Sequence, residues 1–157
     1  MQKVLVLGAG LVGATIAKDL SSDFDVTVVD KSQSALNKFA NTNIICECER
    51  LPTIGQQLSN DPLPIIDLIR QTDIVVGAMP GALGYQAAHL VLKHGKDYVD
   101  ISFTPEDLRT LNDLAVKSNA RCLMDFGVAP GLSHLVFGHM TNILKQITSY
   151  EIYVGGL

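Results

Sequence analysis

The sequence lacks an excess of positive charge, a long apolar run and a paired cysteine motif. Its 157 residues carry a formal net charge of −4 at pH 7, so we expect no basic surface that would neutralise nucleic-acid phosphates. Apolar runs such as residues 74–79 fall far short of the ~20 residues that a membrane span requires. Residues 4–7 are too few for the apolar part of a signal peptide. These absences predict a cytoplasmic protein that binds neither nucleic acid nor membrane.

Cysteine and histidine are too sparse and too irregularly spaced for a metal or disulfide framework. The cysteines, Cys46, Cys48 and Cys122, form no C-x-x-C pair, and their number is odd. In "IICECER" the alternation places Cys46 and Cys48 on one face of a strand, where small buried side chains are ordinary. His134 and His139 are five residues apart and do not stack on one helical face. We therefore predict no bound metal.

Apolar residues are abundant enough to fill the core of one domain. Hydrophobic residues make up 47% of the chain and charged residues 18%, a balance typical of a packed globular protein rather than a disordered one. The length corresponds to about one domain. Short β-branched runs alternate with helical segments, which is typical of a parallel sheet covered by helices. The predicted fold is α/β, a Rossmann-type doubly wound parallel sheet.

Seven strands and six helices are predicted along the chain. The predicted strands are 3–7, 25–29, 43–46, 73–78, 97–101, 121–124 and 149–154, and the predicted helices are 11–20, 33–39, 63–70, 83–94, 105–118 and 131–144. Residues 49–64, "ERLPTIGQQLSNDPLP", contain three prolines and show no clear period. We predict a loop or an irregular insertion there.

Three glycines, Gly8, Gly10 and Gly13, follow the first apolar run in "VLGAGLVGATIA". A G-x-G-x-x-G spacing between a strand and an amphipathic helix indicates dinucleotide binding. The first glycine permits the tight turn, the second lets a pyrophosphate approach the backbone, and the third lets helix and strand pack closely. The helix start at Leu11 and Val12 offers free N–H groups and a positive dipole end to the phosphates. We predict a dinucleotide site at this turn.

Asp30 ends the second predicted strand, at the distance downstream where an acidic residue binds the adenosine ribose. Alternatively, Asp30 caps the helix that follows. A carboxylate on the ribose diol would repel the 2′-phosphate of NADP by up to about 4 kcal/mol at an effective dielectric constant near 20. We therefore expect NAD to be preferred. NADP stays an alternative, because Lys31 and Ser32 can both contact a 2′-phosphate.

The segment "VVGAMPGALG" follows the fourth predicted strand. Ligands of doubly wound sheets bind outside the carboxyl ends of the strands, so Ala78, Met79 and Pro80 are predicted to line the cofactor cleft. The alternative is an ordinary strand-to-helix turn in which proline and glycine only end one element and begin the next. The Met79 side chain packs either on the nicotinamide or on the core.

Two late segments, "DFGVAPGLSHLVFGHM" and "EIYVGGL", carry a family resemblance. The chain resembles the saccharopine dehydrogenase superfamily, most closely its lysine 6-dehydrogenase branch, whose members carry a D-x-G-x-A-P-G segment and a later Y-V-G-G-[LI] strand. Reductases that make saccharopine have a similar segment, matched here by Pro130, Gly131 and His134. The resemblance covers essentially the whole chain.

This resemblance implies an NAD(P)-dependent oxidoreductase that transfers hydride at a CH–NH or CH–NH2 carbon of an amino-acid substrate. It implies an NAD(P)-binding domain over residues 1–147. Residues 148–157 would begin the strand that leads into a missing substrate and dimerisation domain, and a homodimer is expected for the full-length protein. This chain alone is expected to bind NAD without turning over lysine or saccharopine. The alternatives are a nucleotide-sensing regulatory module and a truncated, inactive family member that only binds NAD(P).

Asp125 and His134 are the predicted catalytic residues. Asp125 ends a predicted strand, and His134 lies in the first turn of a helix whose N-terminus can meet a substrate carboxylate. Alternatively, Asp125 binds backbone N–H groups and His134 is a half-buried surface residue. Asp100 and Ser102, at the end of "YVDIS", are also expected to point toward the cleft. The insertion after Cys48 departs from the family pattern and leaves the adenine-side contacts open.

Overall fold

The computed structural model describes residues 1–49, 51 and 64–155. Its strands are β1 Lys3–Leu7, β2 Asp25–Asp30, β3 Ile45–Cys48, β4 Ile74–Gly77, β5 Asp97–Asp100 and β6 Cys122–Leu123. Its helices are α1 Leu11–Leu20, α2 Gln33–Leu36, α3 Pro64–Gln71, α4 Gly81–Lys93, α5 Asn112–Ser118 and α6 Leu132–Ile143, with 3-10 helices at Asn37–Phe39 and Leu108–Leu111. Most of the predicted insertion at 49–64 lies outside the described residues.

The six strands form one parallel sheet in the order β3-β2-β1-β4-β5-β6. β1 is central, and the chain winds outward from it first in one direction and then in the other. This arrangement confirms the predicted Rossmann-type doubly wound sheet. Because all strands run the same way, their carboxyl ends meet at one edge, and the crossover point lies between β1 and β4.

Alternating residues of β1 enter two separate apolar clusters, one on each face of the sheet. Leu5 and Leu7 pack into the larger cluster, which includes apolar residues of α3 and α4. Val4 and Val6 pack into the smaller cluster, beneath α1 and α2. Side chains of a strand alternate between faces, so a strand with consecutive apolar residues, such as residues 4–7 of β1, is covered by helices on both sides. The sheet is thereby fixed between two layers, and its carboxyl edge is left open.

Most predicted elements differ from the structure by one or two residues at their ends, and the predicted helix 33–39 ends as the 3-10 helix Asn37–Phe39. Two predicted elements differ more. The predicted helix 105–118 begins as a 3-10 helix at Leu108, because Asp107 accepts a hydrogen bond from the Arg109 N–H (3.1 Å) and caps the turn there. No strand is present in the described part of residues 149–154, because a strand needs a hydrogen-bonded neighbour and no described strand lies beside it. The division of the chain at residue 147 stays a prediction. No helix in the described ranges is long and apolar enough to cross a membrane.

Candidate functional site

A cavity of about 460 Å³ opens at the carboxyl edge of the sheet, where β1, β2 and β4 end. Seven of the predicted cofactor residues line it, namely Gly8, Gly10, Asp30, Lys31, Ala78, Met79 and Pro80. Leu11 and Val12 instead expose 89% and 53% of their surface beside the cavity, as expected where the helix start contributes backbone rather than side chains. The sequence interpretation missed Glu49, Leu51 and Leu83, which line the cavity as well.

The three motif glycines have three different environments. Gly8 has φ +105°, and a Cβ built there would lie 2.5 Å from the Ala78 carbonyl oxygen. A Cβ at Gly13 would lie 2.0 Å from the Gly8 carbonyl oxygen, so helix α1 packs directly on the turn. A Cβ at Gly10 would meet nothing within 4 Å. Glycine at positions 8 and 13 is therefore required by the protein's own packing, whereas at position 10 the open space faces outward.

The open space at Gly10 adjoins the N-terminus of helix α1. Gly10 is the N-cap, and its carbonyl accepts the first helical hydrogen bond from the Ala14 N–H at 3.0 Å. The first N–H groups of any helix have no partner within the helix. No acidic residue lies in this first turn, so no side chain of the turn repels an anion. The arrangement suits a phosphate or pyrophosphate group.

Asp30 contacts the glycine turn directly. Its Oδ2 accepts a hydrogen bond from the Ala9 N–H (2.7 Å), and its Oδ1 accepts one from the Ser32 N–H (2.8 Å). The cap of α2 is Ser32, whose Oγ accepts from the Ala35 N–H, so Asp30 supports that helix start only through Ser32. The carboxylate is held at the rim of the cavity. It can accept further hydrogen bonds there, since a carboxylate has about four acceptor sites.

The end of β4 forms the opposite wall. The Ala78 N–H donates to the Leu7 carbonyl (2.8 Å), which continues the pairing of β1 and β4 past the last strand residue. The Met79 Cγ would lie 3.3 Å from a Cβ at Gly8. Met79 also packs partly against the larger apolar cluster. The methionine thus contacts both the core and the cavity, and Pro80 then caps α4.

A buried polar cluster of Tyr98, Asp100 and Ser102 lies against Gly77 of β4 and Gly84 of α4. Asp100 is 0% exposed, and its carboxylate accepts hydrogen bonds from the Tyr98 hydroxyl (2.5 Å) and from the Ser102 N–H (2.6 Å). Burial, followed by the charge of Asp100, raises the pKa of Tyr98 well above its usual value, so the phenol keeps the proton that it donates. The same two causes raise the pKa of the Cys122 thiol to about 11. Neither Asp100 nor Ser102 is among the described residues that line the cavity.

Of the predicted catalytic residues, Asp125 lies in the segment between β6 and α6, and His134 lies in the first turn of α6. Asp125 has φ +55°, and its Oδ1 is buried with no hydrogen-bond partner among the described residues. The His134 Nδ1 accepts a hydrogen bond from the Gly131 N–H at 3.3 Å, so the imidazole caps the start of its own helix. Neither side chain is among the described residues that line the cavity, and their catalytic roles stay predictions. The described ranges contain no cluster of histidine, cysteine and acidic residues suited to a metal.

Comparisons with known proteins agree with the geometry. Residues 4–123 match the family model described as the saccharopine dehydrogenase NADP binding domain, which confirms the resemblance to the saccharopine dehydrogenase superfamily. The NADP(+), L-glutamate-forming saccharopine dehydrogenase of Schizosaccharomyces pombe is 24% identical over 163 residues, which cover 100% of this chain and 35% of the yeast protein. The mitochondrial alpha-aminoadipic semialdehyde synthase of Mus musculus is 24% identical over 99% of this chain and 17% of its own length.

Solved structures show the same fold. The apo L-Glu-forming saccharopine dehydrogenase of Saccharomyces cerevisiae superposes with a TM-score of 0.72 at 20% identity, over 92% of this chain and 32% of the solved chain. The WlbA dehydrogenase of Bordetella pertussis, solved with NADH and UDP-GlcNAcA, superposes with a TM-score of 0.62 at 15% identity, over 89% of this chain and 42% of its own. The chain spans about a third of the length of the saccharopine dehydrogenases it matches.

Proposed function

Because the chain belongs to the saccharopine dehydrogenase NADP-binding domain family, we propose that its cavity at the carboxyl edge of the sheet holds a nicotinamide dinucleotide for an amino-acid oxidoreductase. The observation that carries the proposal is the contrast among the motif glycines. Packing fills the space beside Gly8 and Gly13, while the space beside Gly10 is empty. Such a backbone surface, left bare next to a helix N-terminus, fits a pyrophosphate.

Each wall of the cavity has a role in this proposal. The first turn of α1 donates N–H groups to the pyrophosphate. Asp30, held by Ala9 and Ser32, accepts hydrogen bonds from the ribose hydroxyls. Glu49 and Leu51 lie at the β3 side of the cavity, where the adenine is expected. Met79 and Pro80 lie at the β4 side, where the nicotinamide is expected.

We propose that NAD is preferred over NADP. The support is the Asp30 carboxylate, because its charge would meet the 2′-phosphate at the ribose. NADP is the second candidate, since the family description and the names of the yeast relatives specify NADP, and Lys31 lines the cavity next to Asp30. Titration with NADH and NADPH decides between them. Asp30→Ala should reduce the difference between the affinities for NADH and NADPH. Equal affinities for the two in the unmodified protein would refute the preference for NAD.

We further propose that the full-length protein oxidises or reduces an amino-acid substrate at a carbon bonded to nitrogen. When bound, the cofactor accepts or donates the hydride, and the protein supplies orientation and a proton acceptor. Asp125 is the proposed acceptor, because its buried Oδ1 has no hydrogen-bond partner among the described residues. His134 is proposed to contact the substrate from the first turn of α6.

The experiment incubates the full-length protein with NAD or NADP and either lysine or saccharopine, and follows the formation of NADH or NADPH by absorbance at 340 nm. Asp125→Asn should lower kcat strongly and leave the affinity for the dinucleotide unchanged, because Asp125 does not line the cofactor cavity. Tight cofactor binding with no turnover of any amino acid by the full-length protein would instead favour a nucleotide-sensing role.

A further inference from the structure

Ala9, the residue between the first two motif glycines, is held from two sides by charged side chains. It is 0% exposed. Its N–H donates to the Asp30 carboxylate at 2.7 Å, and its carbonyl accepts a hydrogen bond from the Lys38 ammonium at 2.7 Å. Asp30 and Lys38 are 21 and 29 residues away along the chain. The glycine turn is therefore fixed by long-range hydrogen bonds to charged groups, which are stronger than those between neutral groups.

The position of Lys38 is set by its neighbours. It lies in the 3-10 helix Asn37–Phe39, and Leu36 and Phe39 on either side of it are buried to 2% and 1% exposure in the smaller apolar cluster. Two buried anchors hold the backbone against β1 and β2. The exposed Lys38 side chain then crosses the edge of the sheet to reach the turn. Packing thus sets the backbone position from which the Lys38 ammonium reaches the Ala9 carbonyl.

The hydrogen bond to the Ala9 carbonyl also orients the next N–H group. In a trans peptide the C=O and the following N–H point in opposite directions. A carbonyl held toward Lys38 therefore directs the Gly10 N–H away from it. In the part of the chain that the structure describes, no residue accepts a hydrogen bond from this N–H, and the space beside Gly10 is open.

We propose that Lys38 is a positioning residue for the pyrophosphate of the dinucleotide. It fixes the Ala9–Gly10 peptide so that the Gly10 N–H faces the phosphate, and its ammonium adds a positive charge behind that peptide. This inference rests on the proposed function of the cavity. According to this inference, a residue outside the G-x-G-x-x-G motif orients a backbone N–H group with which the motif binds the pyrophosphate.

The test compares three variants of the whole chain by titration with NADH. Lys38→Met keeps the length of the side chain and removes the donor, and it should weaken binding about tenfold, equivalent to about 1.4 kcal/mol. Lys38→Arg keeps a charged donor and should restore binding to within about threefold, or roughly 0.7 kcal/mol. Lys18→Met, which removes an exposed charge in the last turn of α1, should bind as the unmodified protein does.

A ligand-free measurement separates this inference from the proposed function. The amide resonance of Gly10, assigned with ¹⁵N-glycine labelling and Gly10→Ala, should shift in Lys38→Met and not in Lys18→Met. If Lys38→Met leaves NADH affinity unchanged, or if Lys18→Met weakens it equally, the role of Lys38 is refuted and the cofactor site stands. If the unmodified protein binds neither NADH nor NADPH, the proposed function is refuted, and the role of Lys38 falls with it even where the resonance shifts.

Discussion

Of the changes in the glycine turn, substitution of Gly10 by valine is the one expected to weaken dinucleotide binding with the least effect on folding. A Cβ at Gly10 would meet no heavy atom within 4 Å, and the backbone there (φ −64°, ψ −168°) is extended, so valine fits the ligand-free protein. Valine is a poorer N-cap than glycine, and we expect a loss of about 1 kcal/mol or less. For a chain of this length that lowers Tm by about 2–4 °C.

The effect on the dinucleotide is expected to be much larger. A phosphate oxygen that accepts a hydrogen bond from a backbone N–H lies about 2.9 Å from the nitrogen, and the valine methyls at position 10 would occupy that space. Losing two hydrogen bonds to a charged acceptor, each contributing about 1.5–3 kcal/mol, corresponds to about 3 kcal/mol or more. Such a loss weakens binding by more than about a hundredfold.

The assay is fluorescence titration of NADH, with circular dichroism and thermal unfolding of the same samples. Gly138→Val is the matched control, because a Cβ at Gly138 also meets nothing within 4 Å but the residue lies on α6, away from the glycine turn. The control should bind NADH normally. If Gly10→Val folds and binds NADH with the affinity of the control, the phosphate role of Gly10 is wrong.

Three further outcomes follow from packing and from the buried cluster. Gly13→Ala would place a Cβ 2.0 Å from the Gly8 carbonyl oxygen, and urea unfolding should show a loss of about 2–3 kcal/mol; an unchanged stability would contradict the close packing of α1 on the turn. Tyr98→Phe removes a donor from the buried Asp100 carboxylate and should cost about 1–3 kcal/mol in the same measurement, whereas a neutral effect would mean that the hydrogen bond contributes nothing. Cys122, whose pKa is raised to about 11, is about one part in a thousand thiolate at pH 8; its alkylation by iodoacetamide should be slow and should rise about tenfold per pH unit up to about pH 11, and a rate that is flat above pH 9 would refute the raised pKa.

The sheet could be predicted from sequence because each strand is a short local signal. Apolar runs of four to six residues separated by helical periods indicate a parallel sheet, and the glycine spacing fixes which turn lies at the crossover of the sheet. The predicted strand 149–154 is different, since a strand requires a partner that no local pattern can supply. Its apolar alternation favours extended backbone, but residues 149–154 have no assigned secondary structure.

The cofactor residues close to the glycine motif could be predicted, and those distant from it could not. Gly8 and Met79 follow strands, and Asp30 ends one, and the carboxyl ends of these strands must meet at one edge. Glu49 lies where the predicted insertion begins, and its position in the cavity depends on how far β3 extends beside β2. The contact of Lys38 with Ala9 depends on the packing of a short 3-10 helix, for which the sequence has no distinct signal.

The surroundings of the two predicted catalytic residues could not be predicted from the sequence. The sequence places Asp125 at the end of a strand, but the left-handed backbone and the unpartnered carboxylate oxygen become visible only in three dimensions. For His134 the local pattern indicates a substrate contact, while the structure shows its imidazole accepting from the Gly131 N–H. This hydrogen bond occupies Nδ1 only, and the contact of the imidazole with substrate stays a prediction.

The central claim is that the cleft bounded by the glycine turn and Asp30 binds a nicotinamide dinucleotide, and calorimetric titration of this chain tests it most directly. NADH and NADPH are titrated separately into the unmodified protein, with Gly10→Val as the control. The account predicts saturable one-to-one binding of NADH, weaker binding of NADPH, and loss of both in Gly10→Val. Absence of binding for both dinucleotides, or equal binding by the unmodified protein and Gly10→Val, would contradict it.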